Sequence, residues 1–500
     1  MSSINLPNEK KKTRKFKNLS IYNQKNHSYY LLPFKFHRLN NNKEIIVNEV
    51  GDFLILESGS VEQIINRNIE PTNNSELYKT LLSNFFISEQ PIHPLIDVIA
   101  TRYRTKKSFL EYFTGLHIFV ISLRCEHTCN YCQVSRVTQN KDKFDMSIPT
   151  IDKGIDLMMK SPNPHVTMEF QGGEALLAFE GIKYGVIKAK KKALKFGKTL
   201  TIVICTNLAI VTEEILLFCK EHKILISSSL DGPKEVHDKN RHKPHASSYD
   251  LTIKGIKLSR DILGHDQVSA LMTTTSHSLD YPIEIVEEYF NLGFNGIFLR
   301  NISPYGFALR SKIAHYNTNN FIRFYKKALD RILEYNFNGH EFCEDLARIH
   351  LQKMLTPFNT GFVDMQSPAG LINGVIVFNY DGKVYATDES RMLAEQKDFT
   401  FQLGTIDDNY EEIFFGNKAM KIAQVWSNEG LAGCSDCAFQ QYCGADPVHN
   451  HATQGDMYGH RPSSDFCQKN MEIITYLFEL MESDERIRQI FESWVRPTVR

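Results

Sequence analysis

The stretch Cys125-Glu126-His127-Thr128-Cys129-Asn130-Tyr131-Cys132 decides how this chain is read. It follows the apolar, β-prone run Leu116–Leu123, so three cysteines sit on a loop just past the end of a strand. Thiolates at this spacing can hold one face of a metal centre. Iron–sulfur clusters normally take four cysteines. The triad therefore calls for a distant fourth ligand or leaves one iron open for chemistry.

Outward from the triad, strands and helices alternate. Strands are expected at His117–Leu123, Val166–Gln171, Leu200–Thr206, Ile224–Leu230, Val268–Thr274 and Gly296–Ile302. Helices are expected at Ile151–Met159, Gly181–Leu194, Glu213–Glu221, Tyr249–Leu263 and Pro282–Leu292. Alternation of this kind specifies a parallel α/β sheet, here a partial or full barrel, with chemistry gathered at the C-terminal strand ends. Those ends carry unusual residues: Gln171-Gly172-Gly173-Glu174, Thr206-Asn207, Ser229-Leu230-Asp231-Gly232-Pro233 with Arg241 beyond, Thr273–Thr275, and Arg300-Asn301. Each is weak alone; their recurrence at matching places is not.

Five hundred residues predict two to four domains. Net charge is zero, so no global field argues for nucleic acid or an anionic membrane. No apolar run approaches the roughly 18 residues of a membrane span, and Met1–Lys17 lacks a signal-peptide core, so a cytoplasmic protein is expected. Residues 1–25 read as a disordered basic tail. Residues 26–92 read as a winged-helix-like module. Its strands are Leu31–Leu39, Glu44–Val47 and Phe53–Leu56, followed by helices Val61–Asn66, capped by Ser60, and Ser75–Phe85. The barrel then occupies 93–310, opening on a link over 92–115, with a helical linker over 311–364. An extension follows over 365–470, with C-terminal helices over 471–500. Of ten cysteines, seven are clustered, which in a reducing compartment favours metal over disulfides. Cys205, Cys219 and Cys343 read as buried small hydrophobes.

With these residues in view, the chain resembles the radical SAM enzymes over about 115–305. The resemblance rests on Cys125-x3-Cys129-x2-Cys132 and on Gly172-Gly173-Glu174 one strand later. It implies a [4Fe–4S] cluster on Cys125, Cys129 and Cys132, with the free iron chelating S-adenosylmethionine. Tyr131 would lie near the adenine or pack the loop. Gly172 and Gly173 would approach the methionyl end, and Glu174 would take the ammonium group or brace the loop. Ser229 and Asp231 would contact the ribose, and Asn207 would stand at the cofactor edge. Arg241 would balance the cofactor carboxylate, or else pair with Asp238.

Cys434-x2-Cys437-x5-Cys443-x23-Cys467 is a four-thiolate set that alone also suits zinc. Behind such a barrel it resembles the SPASM extension, and implies one auxiliary [4Fe–4S] cluster. The cysteines of a second, barrel-proximal cluster are replaced: Ala369, Thr387 and Asp446-Pro447 stand at their places. Related sulfatase maturases make Asp388 a candidate catalytic base; an ordinary loop carboxylate is the alternative. His449, His451 and His460 read as surface or packing residues.

Tyr30–Phe36, Thr114–Ser135 and Cys443–Pro447 with Gln454-Gly455-Asp456 resemble the His-Xaa-Ser system radical SAM maturases of the HxsB type. This implies a maturase that cleaves S-adenosylmethionine reductively and turns the 5′-deoxyadenosyl radical on a small ribosomally made protein with His-Xaa-Ser repeats. Its partners would be that precursor, which the N-terminal module would grip as an added strand, an electron donor, and a second radical SAM maturase. The alternatives are a sulfatase-maturase-like oxidase forming formylglycine, and a non-catalytic, metal-stabilised peptide-binding scaffold. The intact triad and Gly-Gly-Glu segment argue against the scaffold.

Overall fold

The computed structural model describes residues 29–72, 75–90, 93–134, 136–137, 140–310 and 316–496. The tail expected over 1–25 lies outside them. Residues 29–90 carry β1 (Tyr30–Leu31), β2 (Phe34–Arg38), β3 (Lys43–Asn48), β4 (Phe53–Glu57) and β5 (Ile87–Ser88). β2, β3 and β4 form an antiparallel sheet in that order, and β1 pairs with β5. The single strand expected over Leu31–Leu39 is broken at Pro33, which has no N–H to donate. Helices Ser60–Ile65 and Ser75–Ser83 close the module around Ile46, Ile64, Leu81 and Phe86. Ser60 is not the cap. Gly59 takes that place at φ 87°, and the buried Glu44 carboxylate accepts the Val61 N–H instead. Phe85 lies beyond its helix, beneath the Arg102 guanidinium. The link expected over 92–115 contains a helix, His93–Lys106.

The central sheet is built from β6 (Leu116–Ser122), β7 (His165–Gly172), β8 (Thr199–Thr206), β9 (Leu225–Ser229) and β10 (Val268–Leu271). These strands are parallel neighbours in the order 10-9-8-7-6. Helices Ile148–Lys160, Phe179–Phe196, Glu213–His222 and Ser248–Leu263 connect them, and Pro282–Asn291 follows β10. The first, third and fourth start on Ser147, Thr212 and Ser247, whose hydroxyls accept a backbone N–H one turn in. A short helix, Lys234–Asn240, lies within the segment expected to be loop.

The sixth expected strand departs from the pattern. β11 (Gly296–Ile297) is only two residues long and pairs in parallel with β12 (Cys343–Glu344). It touches the main sheet through the Thr274–Asn301 bridge and the Thr274 N–H to Arg300 carbonyl bond of 2.9 Å. Buried Glu344 holds it there: its carboxylate accepts the Leu299, Leu346 and Ala347 N–H groups and the Tyr325 hydroxyl. The other edge is extended. β13 (Val375–Phe378) adds in parallel to β6, and β14 (Lys383–Tyr385) and β15 (Gln402–Thr405) continue antiparallel, giving eight strands. The hairpin expected over Ser367–Met392 is thus part of the same sheet as the triad's strand.

The N-terminal module packs on the C-terminal part. Phe53 meets Phe478 edge-on, His37 lies on Phe439, and the Tyr442 hydroxyl donates to the Gly51 carbonyl. The last helices, Asp465–Ser483 and Glu485–Val495, bury Ile473, Leu477, Phe478 and Phe491 in the common core.

Candidate active site

β6 delivers the cysteine loop. Ser122 and Arg124 anchor it: the Ser122 hydroxyl donates to Asp145 at 2.6 Å, and Arg124 holds the same carboxylate through two nitrogens at 2.7 and 2.6 Å. The Gly172-Gly173-Glu174 segment clamps the other side. Gly173 and Glu174 donate their N–H groups to the Ser122 and Arg124 carbonyls at 2.8 and 2.7 Å. A Cβ on Gly172 would stand 1.9 Å from the Ser122 oxygen, and one on Gly173 would stand 2.4 Å from the Arg124 oxygen. The glycines are required because two backbones touch there.

A cavity of about 220 Å³ opens against this loop. Cys125, Cys129, Tyr131 and Cys132 line one side; Gly172, Gly173, Asn207, Ser229, Arg241 and Asp388 also reach it. Ten of the expected site residues therefore converge on one space. Glu174 and Asp231 do not line it. Glu174 is 1% exposed, and its carboxylate accepts the Leu176 and Asn207 N–H groups and the Thr206 hydroxyl. Of its two expected roles, the geometry matches bracing. Asp231 is fully buried; it accepts the Tyr131 hydroxyl at 2.7 Å and the Thr273 N–H at 3.1 Å, and pairs with Arg241 at 3.1 Å. Its carboxylate is committed to Tyr131 and Arg241, not presented to a ribose. Arg241 pairs with Asp231 rather than with Asp238, which accepts the Ser247 hydroxyl and the Tyr249 N–H. Its guanidinium also lies 5.5 Å from the centre of the Tyr131 ring.

Cys205 and a pair of histidine contacts escaped the sequence, whereas Thr273 and Arg300 stand out there as strand-end residues without a role. Cys205 is not simply core: it lines the cavity, and burial followed by Glu169 pushes its thiol far up. Arg300 and Thr273 also line it. Behind the loop, His127 Nε2 and His237 Nε2 both reach the Ser248 hydroxyl, at 2.8 and 3.0 Å, and His237 Nδ1 accepts the Asp231 N–H. Burial holds His237 down at about 3, so it stays neutral and can accept. The residues next to His127 and His237 give no signal for such a contact, because Ser248 comes from a separate helix.

The donor set fits an iron–sulfur centre. Burial pushes the Cys129 thiol up to about 12, with Arg241 opposing; a coordinated cation would favour its thiolate. All ten cysteines are free of disulfides. Cys125, Glu126 and His127 also place three donor atoms within 4.8 Å of one another, but both ring nitrogens of His127 already have partners.

Residues 119–295 match the family model of the radical SAM superfamily. This segment therefore resembles a radical SAM domain. Its relatives include an uncharacterized protein of Methanothermobacter thermautotrophicus, 32% identical over 36% of this chain and 66% of that protein. The serine-type anaerobic sulfatase-maturating enzyme of Bacteroides thetaiotaomicron is 29% identical over 33% of this chain and 39% of that enzyme. The cysteine-type anaerobic sulfatase-maturating enzyme of Clostridium perfringens is 24% identical over 71% of this chain and 93% of that enzyme. The chain thus spans two thirds or less of the first two relatives. Among solved structures, native anSMEcpe with bound AdoMet superposes with a TM-score of 0.62 at 19% identity, covering 76% of this chain and 99% of that one. Streptococcus suis SuiB bound to precursor peptide SuiA gives 0.51 at 13% identity, covering 88% and 100%. These structures share the fold. The radical SAM superfamily, which residues 119–295 match, is one of enzymes.

Outside the radical SAM domain, Cys434, Cys437, Cys443 and Cys467 gather at the start of the helix Asp465–Ser483. Cys437 feels both Cys467 and Cys434 electrostatically, and Cys443 feels Cys437 and Cys434. Buried Lys353 donates to the Met365, Tyr442 and Cys443 carbonyls and ties this loop to the chain entering the extension.

The three positions read as lost cysteines have other work. Ala369 is buried, and its N–H meets the Trp426 carbonyl. Thr387 caps the helix Asp388–Ala394 in a reciprocal capping box with Ser390, and Asp446 caps Pro447–Gln454. The histidines nearby are structural: His449 pairs with Asp465, His451 with Asp398, and His460 with Ser463.

Proposed function

We propose that this radical SAM enzyme modifies a side chain or Cα of a ribosomally made peptide or small protein. The observation that carries this is the convergence of the triad, Gly172-Gly173, Asn207, Ser229, Arg241 and Asp388 on one cavity. Cys125, Cys129 and Cys132 would hold a cluster with one open iron, which thiolate ligands suit. When bound there, S-adenosylmethionine supplies a 5′-deoxyadenosyl radical for hydrogen abstraction. The chain's own groups do the rest. Tyr131, fixed by Asp231, offers a ring face to a base, and Arg241 sets a positive charge beside the loop. Ser229 and Asn207 offer a hydroxyl and an amide to a nucleoside. Asp388 reaches the same cavity from the extension, placed to accept a substrate proton.

Cys434, Cys437, Cys443 and Cys467 would hold one auxiliary [4Fe–4S] cluster, able to take an electron. The N-terminal module, a three-stranded sheet with two helices, supports recognition of a precursor by strand addition at a sheet edge. The resemblance to His-Xaa-Ser system maturases makes the substrate a small His-Xaa-Ser repeat protein, handled in the cytoplasm with an electron donor and a second maturase. No described helix is long and apolar enough to cross a membrane.

A second reading has comparable support: formylglycine formation on a sulfatase, favoured by the similarity to the two sulfatase-maturating enzymes. Co-expression with a His-Xaa-Ser protein and, separately, with a cysteine- or serine-type sulfatase, followed by mass analysis, separates the two. A mass change on the repeat protein alone supports the first reading. A change on the sulfatase alone overturns it.

A further inference from the structure

A second chamber, of about 70 Å³, lies beside the radical SAM cavity and shares Arg300 with it. It sits where β11 meets the extension, bounded by Asp364, Glu389, Asp446 and Lys469. Asp446, one of the positions read as a replaced cysteine, borders it, and Glu389 lies two residues past another, Thr387.

The charges do not balance within the chamber. Three carboxyl groups, Asp364, Glu389 and Asp446, face two cations; burial and then Asp388, with which it shares a hydrogen bond, push Glu389 far up, so an incoming cation would restore its ionised form. Lys469 donates to the Asn301 amide oxygen at 2.8 Å. Arg300 reaches Glu389 only at 3.5 Å and Asp364 only at 3.9 Å, too far for a close bidentate pair. Asp388 and Glu169 add their fields to the same guanidinium. His449, also in the wall, pairs with Asp465 at 2.6 Å, a residue outside the chamber.

An independent observation points to a ligand. Tyr305 is 1% exposed and lines the chamber, yet its hydroxyl has no hydrogen-bond partner among the described residues. A buried hydroxyl left without a partner loses the hydrogen bonds it would make to water. The groups nearest to it in electrostatic terms are Asp446, Glu389 and Asp364. An acceptor oxygen among surplus carboxylates suits a donor-rich cation. Burial, opposed by Arg300, pushes Asp364 up to about 7, as expected where negative charge lacks a counter-ion.

We propose that this chamber receives the cationic end of a substrate side chain, a lysine, arginine or protonated histidine, between Glu389, Asp364 and the Tyr305 hydroxyl. The neighbouring residue of the peptide would then face the cavity that Asp388 lines. The inference rests on the peptide-modifying function proposed above and names what that peptide must carry.

The test is calorimetric titration of the cluster-loaded protein with N-acetyl-arginine amide, N-acetyl-lysine amide and neutral N-acetyl-citrulline amide. Saturable binding of a cationic amide at least about tenfold tighter than that of the citrulline amide is expected, the value of one charge-assisted contact. Glu389→Gln should weaken it about tenfold and Tyr305→Phe about threefold, with iron content and S-adenosylmethionine binding unchanged. If Glu389→Gln does not fold, Asp364→Asn replaces it. Equal binding of the citrulline amide, no binding of any probe, or binding indifferent to the variants overturns the inference. These outcomes are read without turnover. A failed mass change on every peptide substrate, with cationic binding intact, would instead count against the peptide-modifying function.

Discussion

Gly172→Ala is the perturbation whose size the structure fixes most directly. The added Cβ would sit 1.9 Å from the Ser122 carbonyl oxygen, with that residue's carbonyl carbon and nitrogen at 3.0 and 3.3 Å. All three are backbone atoms of β6, so no rotamer change relieves the contact. The strand ends must separate by more than 1 Å, which breaks the Gly173-to-Ser122 and Glu174-to-Arg124 bonds of 2.8 and 2.7 Å. Two backbone hydrogen bonds at about 1 kcal/mol each, with about 1–3 kcal/mol of overpacking strain, sum to a loss of about 3–5 kcal/mol. The separation also moves the loop that starts at Cys125. Anaerobic urea unfolding should therefore show a lowered midpoint, and iron content should fall together with it. Gly430→Ala is the control: its Cβ meets nothing within 4 Å, and it should stay within about 0.5 kcal/mol of the parent. Equal stability and iron content in the two variants would refute the backbone-contact argument.

Other consequences are as concrete. Asp231→Asn leaves the Arg241 charge without its counter-ion in a buried setting; a loss on the order of 3 kcal/mol is expected, with weaker S-adenosylmethionine binding by calorimetry. Cys434→Ser should remove about four irons per chain and leave about four on the triad, counted by iron assay with a retained S-adenosylmethionine-sensitive signal. Glu429 supplies a pH test. Burial alone would raise its pKa, but Lys107 and the Ser367 and Ser427 hydroxyls pull it down to about 2. A depressed carboxylate stabilises the fold above its unfolded pKa of about 4.3, and that contribution fades as pH falls toward 2. Stability measured from pH 5 down to 2 should fall less steeply in Glu429→Gln than in the parent.

The parallel strands and their helices were legible because apolar β-branched runs alternate with capped amphipathic segments. The helix starts read at Ile151, Glu213 and Tyr249 lie within three residues of those in the fold, which Ser147, Thr212 and Ser247 cap. The triad and Gly172-Gly173 were legible because metal ligation and backbone contact leave few residue choices. What stayed hidden depends on distant partners. Nothing local in Val375–Phe378 says that it joins β6, since register there is set by packing of Phe378 on Phe119 and His117. Gly296–Ile302 reads as a full strand, yet Glu344 captures the Leu299 N–H and ends the pairing early. Asp231 looks like a ligand group from its loop, but Tyr131, a hundred residues away, claims its carboxylate. Cys205 looks like core because its strand is apolar, yet it is the penultimate residue of β8 and lines the cavity.

The central claim is that Cys125, Cys129 and Cys132 hold a cluster whose open iron binds S-adenosylmethionine. Electron paramagnetic resonance of the dithionite-reduced, Cys434→Ser protein isolates that cluster from the auxiliary one. Addition of S-adenosylmethionine should shift the signal, and Cys129→Ala in the same background should abolish it. An unchanged signal on addition, or zinc in place of iron in the purified protein, would contradict the account.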